Sequence, residues 1–110
     1  IIPFFFLVFN GLCGIALKNA GFEIHHLIEK RFANLFKIGQ EKIPSLPLPH
    51  TLHQVFTKLW RQAIAYSNAS VELTTQSATK EVLIQAVKNI YRDFPEIVEI
   101  LLEFIEKYAR

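Results

Sequence analysis

The residues in this chain that could do chemistry are few: four histidines, ten carboxylates and one cysteine. The densest group is Glu23-Ile24-His25-His26-Leu27-Ile28-Glu29. Glu23 and His26 stand at the Glu-x-x-His spacing by which helices of di-iron bundles present two ligands from one face. Glu29 could add a third donor, and His25 with Glu29 makes another pair four apart. A di-metal site of that kind needs a second Glu-x-x-His and two further inward carboxylates, and the sequence holds no second copy. His50 and His53, three apart at a helix start, could complete a site only if packing carried them to the first group. The expectation is histidines at a surface or boundary, with Glu23, His26 and Glu29 as the candidate metal ligands and no cofactor. Whether His25, His26, His50 and His53 meet is not fixed by their spacing.

Catalysis by a nucleophile is poorly supported. Gly-x-Ser-x-Gly and a glycine-rich phosphate loop are both missing, and Asp93 is the only aspartate. Cys13 lies within an uncharged stretch with no cation to stabilise a thiolate, so it is expected to pack as a small hydrophobe. A single cysteine makes no disulfide framework and suits a reducing, intracellular compartment. Lys58, Arg61, Lys88 and Arg92 fall on polar helix faces without the aromatic platforms that accompany nucleic-acid binding. Asn68-Ala69-Ser70 matches a glycosylation sequon and is expected to be a helix end.

These residues must be positioned by helices, because helical periodicity recurs along most of the chain. Residues 1–17 carry no charge and include Phe4, Phe5, Phe6 and Phe9, which predicts an apolar first helix starting with Pro3 at its N1 position. Asn19-Ala20-Gly21 should stop it. A second helix is expected over 22–38, with Ile24, Leu27, Ile28, Phe32, Leu35 and Phe36 inward and Glu23, Glu29, Lys30, Arg31 and Lys37 largely away. Pro44, Pro47 and Pro49 then make residues 39–50 an extended connection packed by Ile43, Leu46 and Leu48. Three more helices follow, at about 51–66, 77–94 and 95–109, with capping boxes expected at Thr51/Gln54 and Asp93/Glu96. The predicted architecture is one all-α domain of five helices: an apolar hairpin over 1–38, the proline-rich connection, and a three-helix remainder over 51–110.

With 110 residues, 51% of them apolar and only 20% charged, the chain can bury a core without staples and is too hydrophobic for disorder. The net charge of +2 is too mild to point to nucleic acid. The chain lacks methionine, so a processed chain or a piece of something longer is expected. The functional expectation is a non-catalytic protein-interaction module whose partner is another protein or the rest of its own chain. Docking is assigned to the last helix through Val98, Ile100 and Leu102. The alternative is membrane association through residues 1–17, which at about 25 Å as a helix fall short of the roughly 30 Å hydrocarbon core.

Overall fold

The computed structural model describes residues 21–67 and 70–110. Their order is β1 (Phe22–His26), a 3-10 turn at Lys30–Leu35, a second at Gln40–Lys42, and β2 (Ser45–Pro49). Then come α1 (His50–Ala63), a third 3-10 turn at Thr75–Ser77, α2 (Lys80–Ile90) and α3 (Pro95–Tyr108). The expected five-helix, all-α bundle is therefore incorrect: among the described residues, three α-helices pack with a two-stranded antiparallel sheet. The apolar helix expected over residues 1–17 lies outside the described residues. No helix among the described residues is long and apolar enough to cross a membrane.

The segment expected to be the second helix is where the prediction fails. Gly21 has a φ of +90°, a left-handed conformation that side-chain-bearing residues rarely adopt, and it starts the chain into an extended run. Phe22 pairs with Pro49, Ile24 with Pro47 and His26 with Ser45. Leu27 N–H donates to the Pro44 carbonyl at 2.9 Å, which continues the ladder and fixes its phase. Hydrogen-bonded pairs in an antiparallel ladder alternate with unbonded ones, so Glu23↔Leu48 and His25↔Leu46 are bonded pairs. Pro47 and Pro49 consequently fall where no inward N–H is needed, and a proline-rich segment can be a strand because it is an edge.

The hairpin lies against α1, α1 against α2, and α2 against α3. Phe56, Trp60 and Ile64 of α1, Leu83, Ala86, Val87 and Ile90 of α2, and Ile97, Leu101, Phe104 and Ile105 of α3 form one core with Leu27, Ile28, Phe32, Phe36 and Ile43. Leu52 and Val55 stand at helical spacing with Phe56 and Leu59 but are exposed, so the apolar stripe of α1 is wider than the surface it buries. The expected capping boxes at Thr51/Gln54 and Asp93/Glu96 do not form: Pro49 and Phe94 precede α1 and α3, and neither helix has a side-chain cap. Pro95 takes N1 instead, where a missing N–H costs nothing. Thr79 caps α2 by accepting from Val82 N–H. The last residues return to the start of the fold: Lys37 N–H donates to the Tyr108 carbonyl and Arg110 N–H to the Leu35 carbonyl.

Candidate functional site

Because β1 is a strand, alternate residues point to opposite faces, and Glu23 and His26 cannot share a face as they would three apart on a helix. Glu23 and His25 share one side of the strand, toward α1, which begins directly after β2 and places His50 and His53 one turn apart. Glu23 bridges both imidazoles, its Oε1 at 2.6 Å from His53 Nδ1 and its Oε2 at 2.8 Å from His50 Nδ1. Hydrogen bonds from His53 and then His50 hold its carboxyl below the usual range. A carboxylate at the N-terminal turn of α1 also matches the positive end of the helix dipole. This bridge fastens the end of α1 that lacks a side-chain cap.

His25 lies one layer deeper. Its ring stacks on Phe56 at 5.6 Å and meets His53 edge-on at 5.0 Å. Its Nε2 is 3.0 Å from the Tyr91 hydroxyl, which also accepts from Trp60 Nε1 at 3.1 Å and donates to the Leu27 carbonyl at 2.6 Å. The phenol has one proton, and Leu27 takes it. His25 must therefore donate from Nε2, which fixes the tautomer. Leu27 needs that proton because its ladder partner is Pro44, which has no N–H to give. The Tyr91 hydroxyl thus replaces the main-chain donor that proline removes, and burial raises its pKa far above the ordinary phenol value.

Burial, then the nearby His53 and His26, pushes the His25 pKa down to about 3. Glu23 and His26 on its own strand, His53 on α1 and Tyr91 at the end of α2 are the titratable groups near it among the described residues. The unfolded chain protonates this imidazole below its ordinary value of 6.5, whereas the fold refuses the proton until about 3. Stability is therefore complete above 6.5 and falls with pH across that window, at up to about 1.4 kcal/mol per pH unit for this group. The Glu23 contribution is lost in the same direction, below 4.5. Urea titrations of the native chain and His25→Phe from pH 7 to 4.5 should show the steeper loss in the native chain. Parallel curves would remove His25 from the account.

The structure gathers Glu23, His25, His50 and His53, and leaves His26 and Glu29 apart. His26 is half-buried on the opposite face, its pKa lowered by desolvation and then by Lys30 and His53. Glu29 accepts from Arg31 Nε at 2.7 Å. The candidate ligand trio Glu23, His26 and Glu29 is thus split, and among the described residues no group of three or more His, Cys, Asp or Glu is placed to hold a metal ion.

Arg31, expected to point largely away from the fold, is the most connected cation among the described residues. Its guanidinium donates to the carbonyls of Ile64 at 2.6 Å, Ala65 at 3.1 Å and Trp60 at 3.3 Å, and to Thr75 Oγ1 at 2.7 Å. It also lies over Phe32 and Tyr66, at 4.4 and 4.8 Å from the ring centroids. The Trp60 carbonyl also accepts from Ile64 N–H and the Ala65 carbonyl from Thr75 N–H, so the Ile64 carbonyl depends most on Arg31, and the negative dipole end of α1 favours a cation there. Neither Arg31 nor Tyr91 has a sequence motif that would single it out.

Beside this end of α1 lies an open groove of about 590 Å³, floored by Ala63, Leu73, Val82 and Ala86 and edged by Glu81, Gln85 and Asn89. Leu73, 38% exposed, lines it, and Tyr66 and Val71 nearby in the chain are also exposed. On α3, Val98 and Leu102 pack partly against the core, and Ile100 is half-buried. No protein family, curated protein or solved structure matches the chain.

Proposed function

We propose that this chain is a non-catalytic protein-interaction module that receives an apolar segment of its partner in the groove between α1, α2 and the loop carrying Leu73. The supporting observation is the groove itself: an open apolar floor with a polar helical edge and an exposed leucine at its rim. That composition suits an amphipathic helix, whose apolar stripe meets Val82 and Ala86 while its flanks hydrogen-bond to Gln85 and Asn89. The polar side chains buried near the hairpin serve the fold: the Tyr91 hydroxyl completes a broken ladder and Arg31 closes a helix end. The α3 surface with Val98, Ile100 and Leu102 offers less, since two of the three side chains already pack inward.

Photo-crosslinking inside the source cells distinguishes the two surfaces. A photoreactive residue in place of Leu73 should trap a discrete adduct, and Val82→Asp in the same chain should abolish it. The same probe at Ile100 should trap little. An adduct from position 100 alone would move docking to α3, and no adduct from either position would defeat the interaction reading.

A further inference from the structure

The two-stranded sheet has two outer edges, and they are not equivalent. On β2 the outward positions include Pro47 and Pro49, which have no N–H to offer a further strand. On β1 the ladder phase turns the N–H and C=O groups of Phe22, Ile24 and His26 away from β2, and no described residue hydrogen-bonds to them. Within Phe22–His26 there is no Pro, no Lys and no bulge to blunt the edge, and its one carboxylate, Glu23, is engaged by His50 and His53. An open cleft lined by Gly21, Phe22, Glu23, Ile24 and His53 flanks it.

We propose that this edge pairs with the same edge of a second copy of the chain, antiparallel about Ile24. The β1 strands then meet at a two-fold axis and make a four-stranded sheet in the order β2, β1, β1, β2. The main-chain groups that face outward are those of residues 22, 24 and 26, and antiparallel pairing about Ile24 sets Phe22 against the other copy's His26 on both sides of the axis. Those three side chains share one face, so Phe22 and Ile24 of both copies cover one another. Phe22 is 38% exposed in the single chain. No like charges meet there, because desolvation holds His26 toward its neutral form. The prolines of β2 then lie on both outer edges, so growth stops at two copies, which gives the closed symmetry usual for homo-oligomers. A two-stranded sheet is marginal by itself, and doubling it is a gain that an unrelated strand of arbitrary sequence would not supply as symmetrically. This contact is separate from the groove beside α1 and does not depend on it.

The test combines sedimentation and hydrogen exchange on the whole chain over a concentration series. Two copies should form as concentration rises, and the amides of Phe22, Ile24 and His26 should slow at least tenfold together with the shift. Ile24→Pro removes the outward N–H without touching a bonded pair to β2, so it should keep the hairpin and stay monomeric. If that variant does not fold, Ile24→Lys gives the same reading by placing like charges across the axis. A chain that stays single at millimolar concentration overturns the proposal, as does a dimer in which these three amides exchange freely. Protection of the amides in a single chain by an unrelated extended peptide would overturn the choice of a second copy.

Discussion

Tyr91→Phe should cost this fold about 3 kcal/mol or more, although it deletes one oxygen and leaves the ring in place. The hydroxyl is fully buried and has three partners, each buried and each left without a replacement: the Leu27 carbonyl, Trp60 Nε1 and His25 Nε2. An orphaned buried polar group costs about 1–3 kcal/mol, and the network makes these costs interdependent. Against a total stability of about 5–15 kcal/mol, this is a large fraction. The urea midpoint should drop with an unchanged denaturant slope. Pairing the substitution with Pro44→Ala should recover part of the loss, because alanine restores the N–H that the Leu27 carbonyl lacks. A loss below about 1 kcal/mol, or no coupling to position 44, would mean that the hydroxyl is not the ladder's missing donor.

The second large effect belongs to Arg31. Arg31→Ala should lower stability by about 2–4 kcal/mol, since three carbonyls at the end of α1, Thr75 and Glu29 lose their common donor. Arg31→Lys should recover less than half, because an ammonium cannot reach several acceptors with a planar fork or stack on Phe32 and Tyr66. The damage should be local first: amide exchange should accelerate at Ala65 and Thr75, which bond across the loop through Ala65 N–H to the Leu73 carbonyl and Thr75 N–H to the Ala65 carbonyl. Full recovery by lysine would reduce the role of Arg31 to charge alone.

The three α-helices were legible because each buries a stripe at helical spacing: Phe56 and Trp60, Leu83 and Val87, Leu101 and Ile105. The strand was not. Ile24, Leu27, Ile28 and Phe32 satisfy a 3.6-residue period, and the pattern that would have argued for a strand, Phe22-Glu23-Ile24-His25, is too short to outweigh it. What decides the matter is distant in sequence: an extended segment at 45–49, locked by its prolines, against which residues 22–26 can pair. The same error dispersed the site. With Glu23 and His26 assigned to one helical face, a metal trio with Glu29 looked geometrically consistent, whereas the strand turns Glu23 toward His50 and His53. The roles of Tyr91 and Arg31 were invisible for a related reason, since both complete backbone groups stranded elsewhere in the chain.

The return of the last residues to Leu35 and Phe36 bears on the order in which this protein can assemble. Arg110 Nε bonds to the Phe36 carbonyl across 74 positions, and Phe36 forms an isolated bridge with Ala109. The Tyr91 hydroxyl reaches His25 across 66 positions. During synthesis the hairpin therefore emerges long before the side chain that satisfies Leu27, and the 35–37 segment waits for Tyr108 to Arg110. Helices α1, α2 and α3 can form locally in the meantime, but closure of the loop must precede the contacts that reward it. Between the emergence of β1 and that of residues 108–110 the growing chain thus carries an unfinished core, the interval in which exposed strand edges are most prone to the wrong partner.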